Sequence, residues 1–295
     1  MFREVIAGID GKPNGRDAVA LAGKLVGAGG RLTLVHVHGE EGGHHAPDGD
    51  SGSPARQSSL ALLQRELAAT DAIAELATIG APSVGEGLHR MAEQRSADLL
   101  VVGSCSHRAV ARALGADDVR ASLEGAPCAV AVASRGYADH PTPIARIGVA
   151  YDGSPESDEA IKLARAIAAE LRSTISALTV VHTSAYYYGG LAAVDWGDAI
   201  DRMLEDARER LAELDDVQGR AVRGVGAEEL VRFSEDVDLL ISGSRGYGAL
   251  RRALLGSTSE HLAHCTHCPL LVLRRGLAAD ATLPSPPGAA VAPSR

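Results

Sequence analysis

The sequence is poor in aromatic residues and in basic charge, and each shortage excludes a class of function. Aromatic residues make up only 3% of the chain, too few for the ring-lined surfaces on which single-stranded nucleic acids stack. The formal net charge is -9 at pH 7, whereas duplex DNA and anionic membranes are bound through positively charged surfaces. We therefore expect neither a nucleic acid nor a membrane as a main partner.

Long apolar runs and cysteines are scarce as well. No apolar run approaches the roughly 18 residues needed to span a bilayer, and the charged Arg3 and Glu4 interrupt the N-terminal segment. Four cysteines in 295 residues are too few for a disulfide scaffold, so a reducing cytoplasm is the expected location. The rest of the composition, 45% hydrophobic and 23% charged, is typical of a globular protein.

An internal repeat organises the chain. Four segments recur in the same order after about 140 residues: VIAGIDGKPNGRDAVALAGKL returns as IGVAYDGSPESDEAIKLARAI, LTLVHV as LTVVHT, ADLLVVGS as VDLLISGS, and PCAVAVASRG as HCPLLVLRRG. Solenoid repeats are far shorter, so we interpret the chain as a duplicated domain. We place the domains at residues 1–137 and 145–275, with a linker at 136–145. We expect a mobile loop at 39–56 and a disordered tail at 276–295.

Each copy alternates strand patterns with helix patterns. In the second copy helices are predicted at Pro155–Leu171, Ile200–Leu214 and His261–Cys265, and strands at Arg146–Tyr151, Thr174–His182, Gly219–Arg223, Leu239–Ser242 and Leu270–Leu273. This alternation predicts two tandem five-stranded parallel sheets of the doubly wound, Rossmann-like α/β class. Ligands bind such sheets beyond the carboxyl ends of the strands.

A glycine-rich segment follows the fourth strand of the second copy. GSRGYGALRRALLGST places Gly243, Gly246 and Gly256 ahead of Ser257 and Thr258. Glycines let main-chain N–H groups approach phosphate oxygens, and a serine or threonine at a helix start leaves free N–H groups that attract an anion. The segment has no Walker lysine. A glycine turn followed by an ordinary helix cap is the alternative interpretation.

Asp152 follows the first strand of the second copy, opposite this glycine segment. Its carboxylate is a suitable acceptor for an adenine amine or a ribose hydroxyl. The alternative role is to cap the helix that starts at Pro155, for which Ser154 competes. Nucleotide binding and helix capping can both occur here, one at each of these neighbouring residues.

Together the repeated motifs resemble the universal stress protein family, in a tandem two-domain form, from Phe2 to about Arg275. The resemblance implies a nucleotide-dependent stress-response or signalling module that binds ATP, with Mg²⁺ as a candidate companion ion, and no catalytic or metal-binding residues. It places these residues at the nucleotide: Ala150, Tyr151, Asp152, Thr183, Gly243, Ser244, Arg245, Gly246, Gly256, Ser257 and Thr258.

The first copy departs from the pattern. Asp10, Val37 and Gly103 match and form a weaker candidate set. Ser106, however, replaces the second glycine, and GADD at 115–118 replaces the closing GSTS. Two aspartates there would repel a polyphosphate. We therefore expect ATP chiefly in the second copy.

Three further groupings have weaker support. HLAHCTHC at 261–268 resembles half of a zinc site, but no second ligand pair stands out and buried cysteines are the alternative. His36 and His182 are predicted to occupy matching strand positions. The aromatic segment 185–196 is a candidate lid over the crevice, or else a local cluster at the sheet edge.

The resemblance also concerns assembly. It implies association through the last strands, either as a homodimer or as an internal pseudo-dimer of the two copies, together with a protein partner that the sequence does not identify. The main alternative function is a nucleotide-free interaction scaffold. An ATP-using enzyme is a third possibility, weakened by the missing catalytic lysine and base.

Overall fold

The computed structural model describes residues 1–39, 53–70, 72–104, 118–182, 196–243 and 257–274. The described first copy contains β1 (Phe2–Gly8), α1 (Pro13–Leu25), β2 (Val26–His38), α2 (Pro54–Ala68), β3 (Glu75–Gly80), α3 (Val84–Arg95), β4 (Leu99–Gly103), α4 (Asp118–Leu123) and β5 (Ala129–Ala133). The described second copy contains β6 (Arg146–Ala150), α5 (Pro155–Leu171), β7 (Thr174–His182), α6 (Trp196–Ala212), β8 (Val217–Gly224), α7 (Gly226–Phe233), β9 (Leu239–Gly243), α8 (Ser257–Cys265) and β10 (Leu270–Leu273).

The strands of the described residues form one ten-stranded sheet in the order β3-β2-β1-β4-β5-β10-β9-β6-β7-β8. Strands are parallel within each copy, and the two halves join where β5 and β10 pair antiparallel, with Leu270 opposite Val132. The predicted fold class is confirmed, although the two five-stranded sheets are continuous rather than separate. Strand order reverses between β1 and β4 and between β6 and β9, which places a crevice at each of these two points.

Helices cover both faces of the sheet because strand side chains alternate between two apolar clusters. Val5 and Ala7 belong to the cluster under α1, α2, α5 and α6, and Ile6 belongs to the cluster under α3, α4, α7 and α8. Each cluster contains residues of both copies, so the core continues across the join of β5 and β10. Within the described residues, no helix is both long and apolar enough to cross a membrane.

Helix α5 shows why local sequence fixes an element. Pro155 occupies the first helical turn, where its missing N–H group costs no hydrogen bond. Ser154 caps the helix, its hydroxyl oxygen accepting from the N–H of Ser157 at 3.3 Å. The helix ends at Leu171, and Arg172 caps it in a left-handed conformation with φ 59°. The predicted bounds of this helix are confirmed.

Two helices begin earlier than predicted. α6 begins at Trp196 rather than Ile200, and α8 begins at Ser257 rather than His261, because their first turns lack the apolar spacing from which a helix is predicted. The end of the predicted loop at 39–56 is also helical, since Ser53 caps α2 by accepting from the N–H of Arg56 at 3.2 Å. Residues 40–52 and the predicted tail at 276–295 lie outside the described residues.

The linker between the copies is packed against the first one. The main-chain N–H groups of Gly136 and Ala138 donate to the carboxylate of Asp17 at 3.0 and 2.8 Å. Asp17 lies on α1 and is only 3% exposed, and Tyr137 between the two donors is 5% exposed. The linker is therefore part of the fold, and Asp17 is the residue that holds it.

One carboxylate contact recurs in both copies, at the start of the first parallel strand of each copy. Asp98 accepts from two main-chain N–H groups at the beginning of β1, at 2.8 and 3.0 Å. Asp238 accepts in the same way from two N–H groups at the beginning of β6, at 3.0 and 2.8 Å. The repeated motifs ADLLVVGS and VDLLISGS thus include an aspartate that stabilises the neighbouring strand.

Candidate functional site

Asp152 lies in a tight turn just beyond β6. Gly153 takes φ +74°, a conformation that an L side chain rarely adopts, and the chain bends back toward α5. One carboxylate oxygen of Asp152, Oδ1, accepts from both the N–H and the hydroxyl of Ser154, at 3.1 and 2.5 Å. Ser154, not Asp152, therefore caps α5. Asp152 orients that cap and holds its carboxylate at the edge of the crevice.

Tyr151, which precedes this aspartate, is engaged by protein groups. Its ring is 8% exposed and belongs to the core cluster, and its hydroxyl donates to Asp158 at 3.1 Å. Burial, followed by the bond to Asp158, raises the pKa of the Tyr151 hydroxyl. Its carbonyl accepts from the buried hydroxyl of Thr179 at 2.8 Å. The geometry makes Tyr151 a support for the turn, and its contact with a nucleotide stays a prediction.

Gly243 ends β9, the neighbour of β6 at the point where strand order reverses. A Cβ atom added at Gly243 would lie 3.1 Å from Cβ of Glu156, in the first turn of α5. The end of β9 therefore lies against the start of α5, which Asp152 and its turn precede. Asp152 and Gly243, two of the predicted nucleotide residues, thus flank the first turn of one helix.

Ser242, one residue earlier on β9, adds a polar atom to this region. Its side chain is 4% exposed, and its hydroxyl oxygen has no hydrogen-bond partner among the described residues. The corresponding residue of the first copy is Val102, which is buried in the apolar cluster on the same face. Buried hydroxyl groups are normally hydrogen-bonded. A polar group that contacts Ser242 is therefore expected near the crevice of the second copy, whereas Val102 of the first copy needs no such contact.

The start of α8 brings the main-chain N–H groups of a helix end to this side of the sheet. Ser257 and Thr258 stand in its first turn, rather than before it as predicted. The first four N–H groups of an α-helix have no partner within the helix. The remaining predicted residues, Thr183, Ser244, Arg245, Gly246 and Gly256, lie outside the described residues and stay predictions. The same holds for the predicted aromatic lid at 185–196, apart from the main chain of Trp196.

The first copy has the same turn with different side chains. Asp10 accepts from the N–H of Lys12 at 3.0 Å, as Asp152 does from Ser154. Lys12 has no hydroxyl with which to cap α1, and no side-chain cap is present there. Its ammonium instead lies 3.4 Å from the second carboxylate oxygen of Asp10. The charge of Asp10 is therefore partly neutralised within the turn.

Gly103 has a packing role that Gly243 does not share. A Cβ atom at Gly103 would lie 2.0 Å from the carbonyl oxygen of Asn14, because α1 crosses β4 closely. The first copy therefore requires this glycine whether or not a ligand binds. α4 begins at Asp118, so one of the two predicted repelling aspartates stands at the helix start that Ser257 occupies in the second copy.

Strand pairing corrects one predicted equivalence between the copies. The N–H before Asp10 donates to the carbonyl of Val35 at 2.8 Å, and the N–H before Asp152 donates to that of Leu178 at 3.0 Å. Val35 and Leu178 therefore correspond, and Thr179 corresponds to His36. The predicted match of His36 with His182 is wrong by three residues.

The same correction applies to the next position of β2. Val180, and not Thr183, has the register of Val37. Both segments are nearly continuous apolar runs, so the similarity of LTLVHV to LTVVHT does not fix the register. Val37 packs against the cluster on the α3 face, and Val180 packs against the same cluster in the second copy.

The histidines and cysteines have mainly structural surroundings. Burial, assisted by the neighbouring His38, lowers the pKa of His36, and Asp10 opposes this. Burial raises the pKa of the thiols of Cys128 and Cys268 to about 12, which leaves them unreactive. Within the described ranges no group of three or more His, Cys, Asp or Glu residues is arranged to hold a metal ion.

These features define a tandem α/β protein with a crevice at each strand-order reversal. The sequence model of the universal stress protein family matches residues 1–134 and again residues 143–274. The chain therefore belongs to the universal stress protein family, in its two-domain form.

Individual relatives agree with this assignment. A universal stress protein of Methanocaldococcus jannaschii is 33% identical over 141 residues, which cover 44% of this chain and 82% of that protein. One of Mycobacterium tuberculosis is 30% identical over 188 residues, which cover 61% of this chain and 62% of that protein. A solved universal stress protein of Archaeoglobus fulgidus has the same fold, with a TM-score of 0.65 and 18% identity over 93% of this chain and 97% of that one.

Proposed function

We propose that the protein is a cytoplasmic, ATP-binding stress-response or signalling module that holds ATP mainly in its second copy. Asp152 would accept a hydrogen bond from the adenine amine or a ribose hydroxyl, and Gly243, Ser257 and Thr258 would face the phosphates. The protein would act as a nucleotide-responsive binding module rather than a fast enzyme. Any Mg²⁺ would accompany the phosphates.

The observation that carries the proposal is that two strand ends of the second copy meet where the strand order reverses. The turn at Asp152 and the end of β9 at Gly243 both meet the first turn of α5. The segment that begins at Gly243 returns to the described structure as a helix start at Ser257. A glycine segment that joins a parallel strand to a helix start is the arrangement that cradles phosphate in many α/β proteins.

Contrast between the copies supports placing ATP in the second one. The second copy offers Ser154 in the turn, a buried hydroxyl at Ser242 and a serine at the start of α8. At the positions that correspond to Ser154 and Ser242 the first copy has Lys12 and Val102, and its helix α4 begins at Asp118. An aspartate at a helix start would compete with phosphate for the positive end of the helix dipole.

Nucleotide content of the purified protein tests the proposal. Mass spectrometry of protein prepared without added nucleotide should find about one ATP per chain, and Gly246→Val should lose it while remaining folded. The matched control is Ser106→Val, the corresponding position of the first copy, which should retain ATP. No binding at millimolar ATP would contradict the proposal and favour the nucleotide-free interaction scaffold. Turnover well above that of a slow switch would instead indicate an ATP-using enzyme.

A further inference from the structure

Two buried serines of the second copy occupy positions at which the first copy has valines. At the offset of 140 residues that relates PCAVAVASRG to HCPLLVLRRG, Ser242 corresponds to Val102 and Ser259 to Val119. All four residues are buried, the serines each 4% exposed and the valines 7% and 1% exposed. The first copy therefore fills this part of its core with apolar side chains, whereas the second copy has two hydroxyl groups there.

The burial of the two helices supports this correspondence. Val119 on α4 and Ser259 on α8 are each followed, three and four residues later, by two further buried residues of the same helix. The second of these residues, Leu123 in α4 and Ala263 in α8, belongs in both copies to the same apolar cluster. Val119 and Ser259 therefore lie on the inward face of their helices.

Ser242 lies on the face of the sheet that α8 covers. Alternate side chains of a strand point to the same face, and Leu240, two residues earlier on β9, belongs to the apolar cluster under α8. Ser242 pairs with Val272 of β10, which belongs to that cluster too. Since α8 stands between the two parallel strands β9 and β10 in the chain, it runs back along the sheet and its first turn lies over the carboxyl ends of the strands. Ser242 therefore points toward the start of α8.

The hydroxyl of Ser242 is a donor without a hydrogen-bond partner among the described residues. A buried hydroxyl without a partner destabilises a protein, whereas a methyl group in its place does not. The nine-residue helix α8 adds the N–H groups of its first turn, which have no acceptor within the helix. A group that accepts from both must carry several oxygen atoms, and the positive end of a helix favours an anion. Phosphate meets both requirements.

We propose that Ser242 is a phosphate-binding residue of the second copy, whose hydroxyl donates to a phosphate oxygen of the nucleotide at the start of α8. This inference rests on the proposed function and adds to it a residue outside the glycine-rich segment. The unpaired hydroxyl destabilises the nucleotide-free protein, and its bond to phosphate stabilises the nucleotide-bound protein. Val102 has no hydroxyl to donate, so this position also distinguishes the two copies.

Two variants of equal size separate the effect of the hydroxyl from that of side-chain volume. Ser242→Thr keeps the hydroxyl, and Ser242→Val replaces it with a methyl group. Titration calorimetry should find that Ser242→Val binds ATP at least about tenfold more weakly than Ser242→Thr, the effect of losing a hydrogen bond to a charged acceptor. Without nucleotide, Ser242→Val should instead have the higher Tm, by roughly 2–4 °C, because it buries no unpaired hydroxyl. Saturating ATP should reduce or reverse that difference.

Two further variants serve as controls. Ser242→Ala, which removes the hydroxyl without adding volume, should lose ATP affinity as Ser242→Val does. Val102→Thr places a hydroxyl at the corresponding position of the first copy. It should lower the Tm both with and without ATP, and it should leave the affinity for ATP unchanged.

The affinities separate failure of this inference from failure of the proposed function. If the unmodified protein binds no ATP, the proposed function fails and this inference fails with it. If the unmodified protein and Ser242→Ala bind ATP equally tightly, only this inference is overturned. A lower Tm for Ser242→Val than for Ser242→Thr without nucleotide would also overturn it, because a protein group would then already bind the hydroxyl.

Discussion

At the scale of single residues, the two glycines that end β4 and β9 differ in what they contact. Gly103 lies against main-chain atoms of Asn14, and Gly243 lies against the side-chain carbon and main chain of Glu156 at longer distances. The presence of Gly103 in the first copy is therefore explained by packing alone. The glycine alone does not identify a nucleotide site.

This difference predicts opposite tolerance to alanine. Gly103→Ala should destabilise the protein by roughly 1–3 kcal/mol, as overpacking against rigid main chain does, whereas Gly243→Ala should cost less than about 1 kcal/mol because Glu156 needs to shift only slightly. Urea unfolding of both variants measures the difference. Equal losses would contradict the close approach of α1 to β4.

His36 predicts a pH dependence of stability. Its pKa is lowered in the folded protein by burial, so the unfolded chain binds the proton more readily. Its contribution to stability is therefore complete above the ordinary histidine pKa of about 6.5 and is lost as the pH falls through the lower, folded value. His36→Thr, which introduces the residue found at this register in the second copy, should reduce the loss of Tm between pH 7 and pH 5.

An exposed histidine provides the comparison for that experiment. His140→Asn removes an imidazole at the surface of the linker and should leave the pH dependence of Tm close to that of the unmodified protein. If His36→Thr and His140→Asn change the pH dependence of Tm equally, the burial of His36 is not the cause of that dependence.

At the scale of elements, the first helices of the two copies differ in their caps. Ser154 caps α5 through its hydroxyl, and Lys12 provides no side-chain cap for α1. Lys12→Ser should raise the free energy of unfolding by about 1 kcal/mol, and Ser154→Ala should lower it by about 1 kcal/mol. Thermal and urea unfolding measure both. Destabilisation by Lys12→Ser would show that the contact of Lys12 with Asp10 outweighs a cap.

Elements were predictable where local chemistry decides them. The cap, the proline and the apolar spacing of α5 are all local, and its bounds follow from the sequence. The starts of α6 and α8 do not, because the apolar spacing from which a helix is predicted begins only after their first turns. The register of β7 depends on pairing with β6, which an almost uniformly apolar run does not encode.

The positions of two candidate residues were predictable for the same reason, while their binding of a nucleotide stays a prediction. The positions of Asp152 and Gly243 follow from strand ends in a doubly wound sheet, which the repeat makes recognisable. The roles of Asp17 and Asp98 were missed, because each binds main-chain groups more than 90 residues away in the sequence. The signal that could have found Asp98 is its recurrence as Asp238, directly before an apolar strand in both copies.

At the scale of the whole molecule, the two copies share one sheet and two core clusters. A continuous core favours one cooperative unfolding transition rather than separate transitions of the two copies. Amide exchange of β4 and β9 should therefore report opening free energies that agree within about 1 kcal/mol. A difference of several kcal/mol would show that the copies unfold independently despite the join of β5 and β10.

Titration calorimetry on two matched variants tests the proposal that the duplicated chain carries one working ATP site, in the second copy. Asp152→Asn keeps an oxygen acceptor for Ser154 but removes the negative charge, and Asp10→Asn makes the same change in the first copy. We predict that Asp152→Asn weakens ATP binding at least tenfold, which is about 1.4 kcal/mol, and that Asp10→Asn leaves both affinity and stoichiometry unchanged. Equal losses in the two variants, or a loss confined to Asp10→Asn, would contradict the claim.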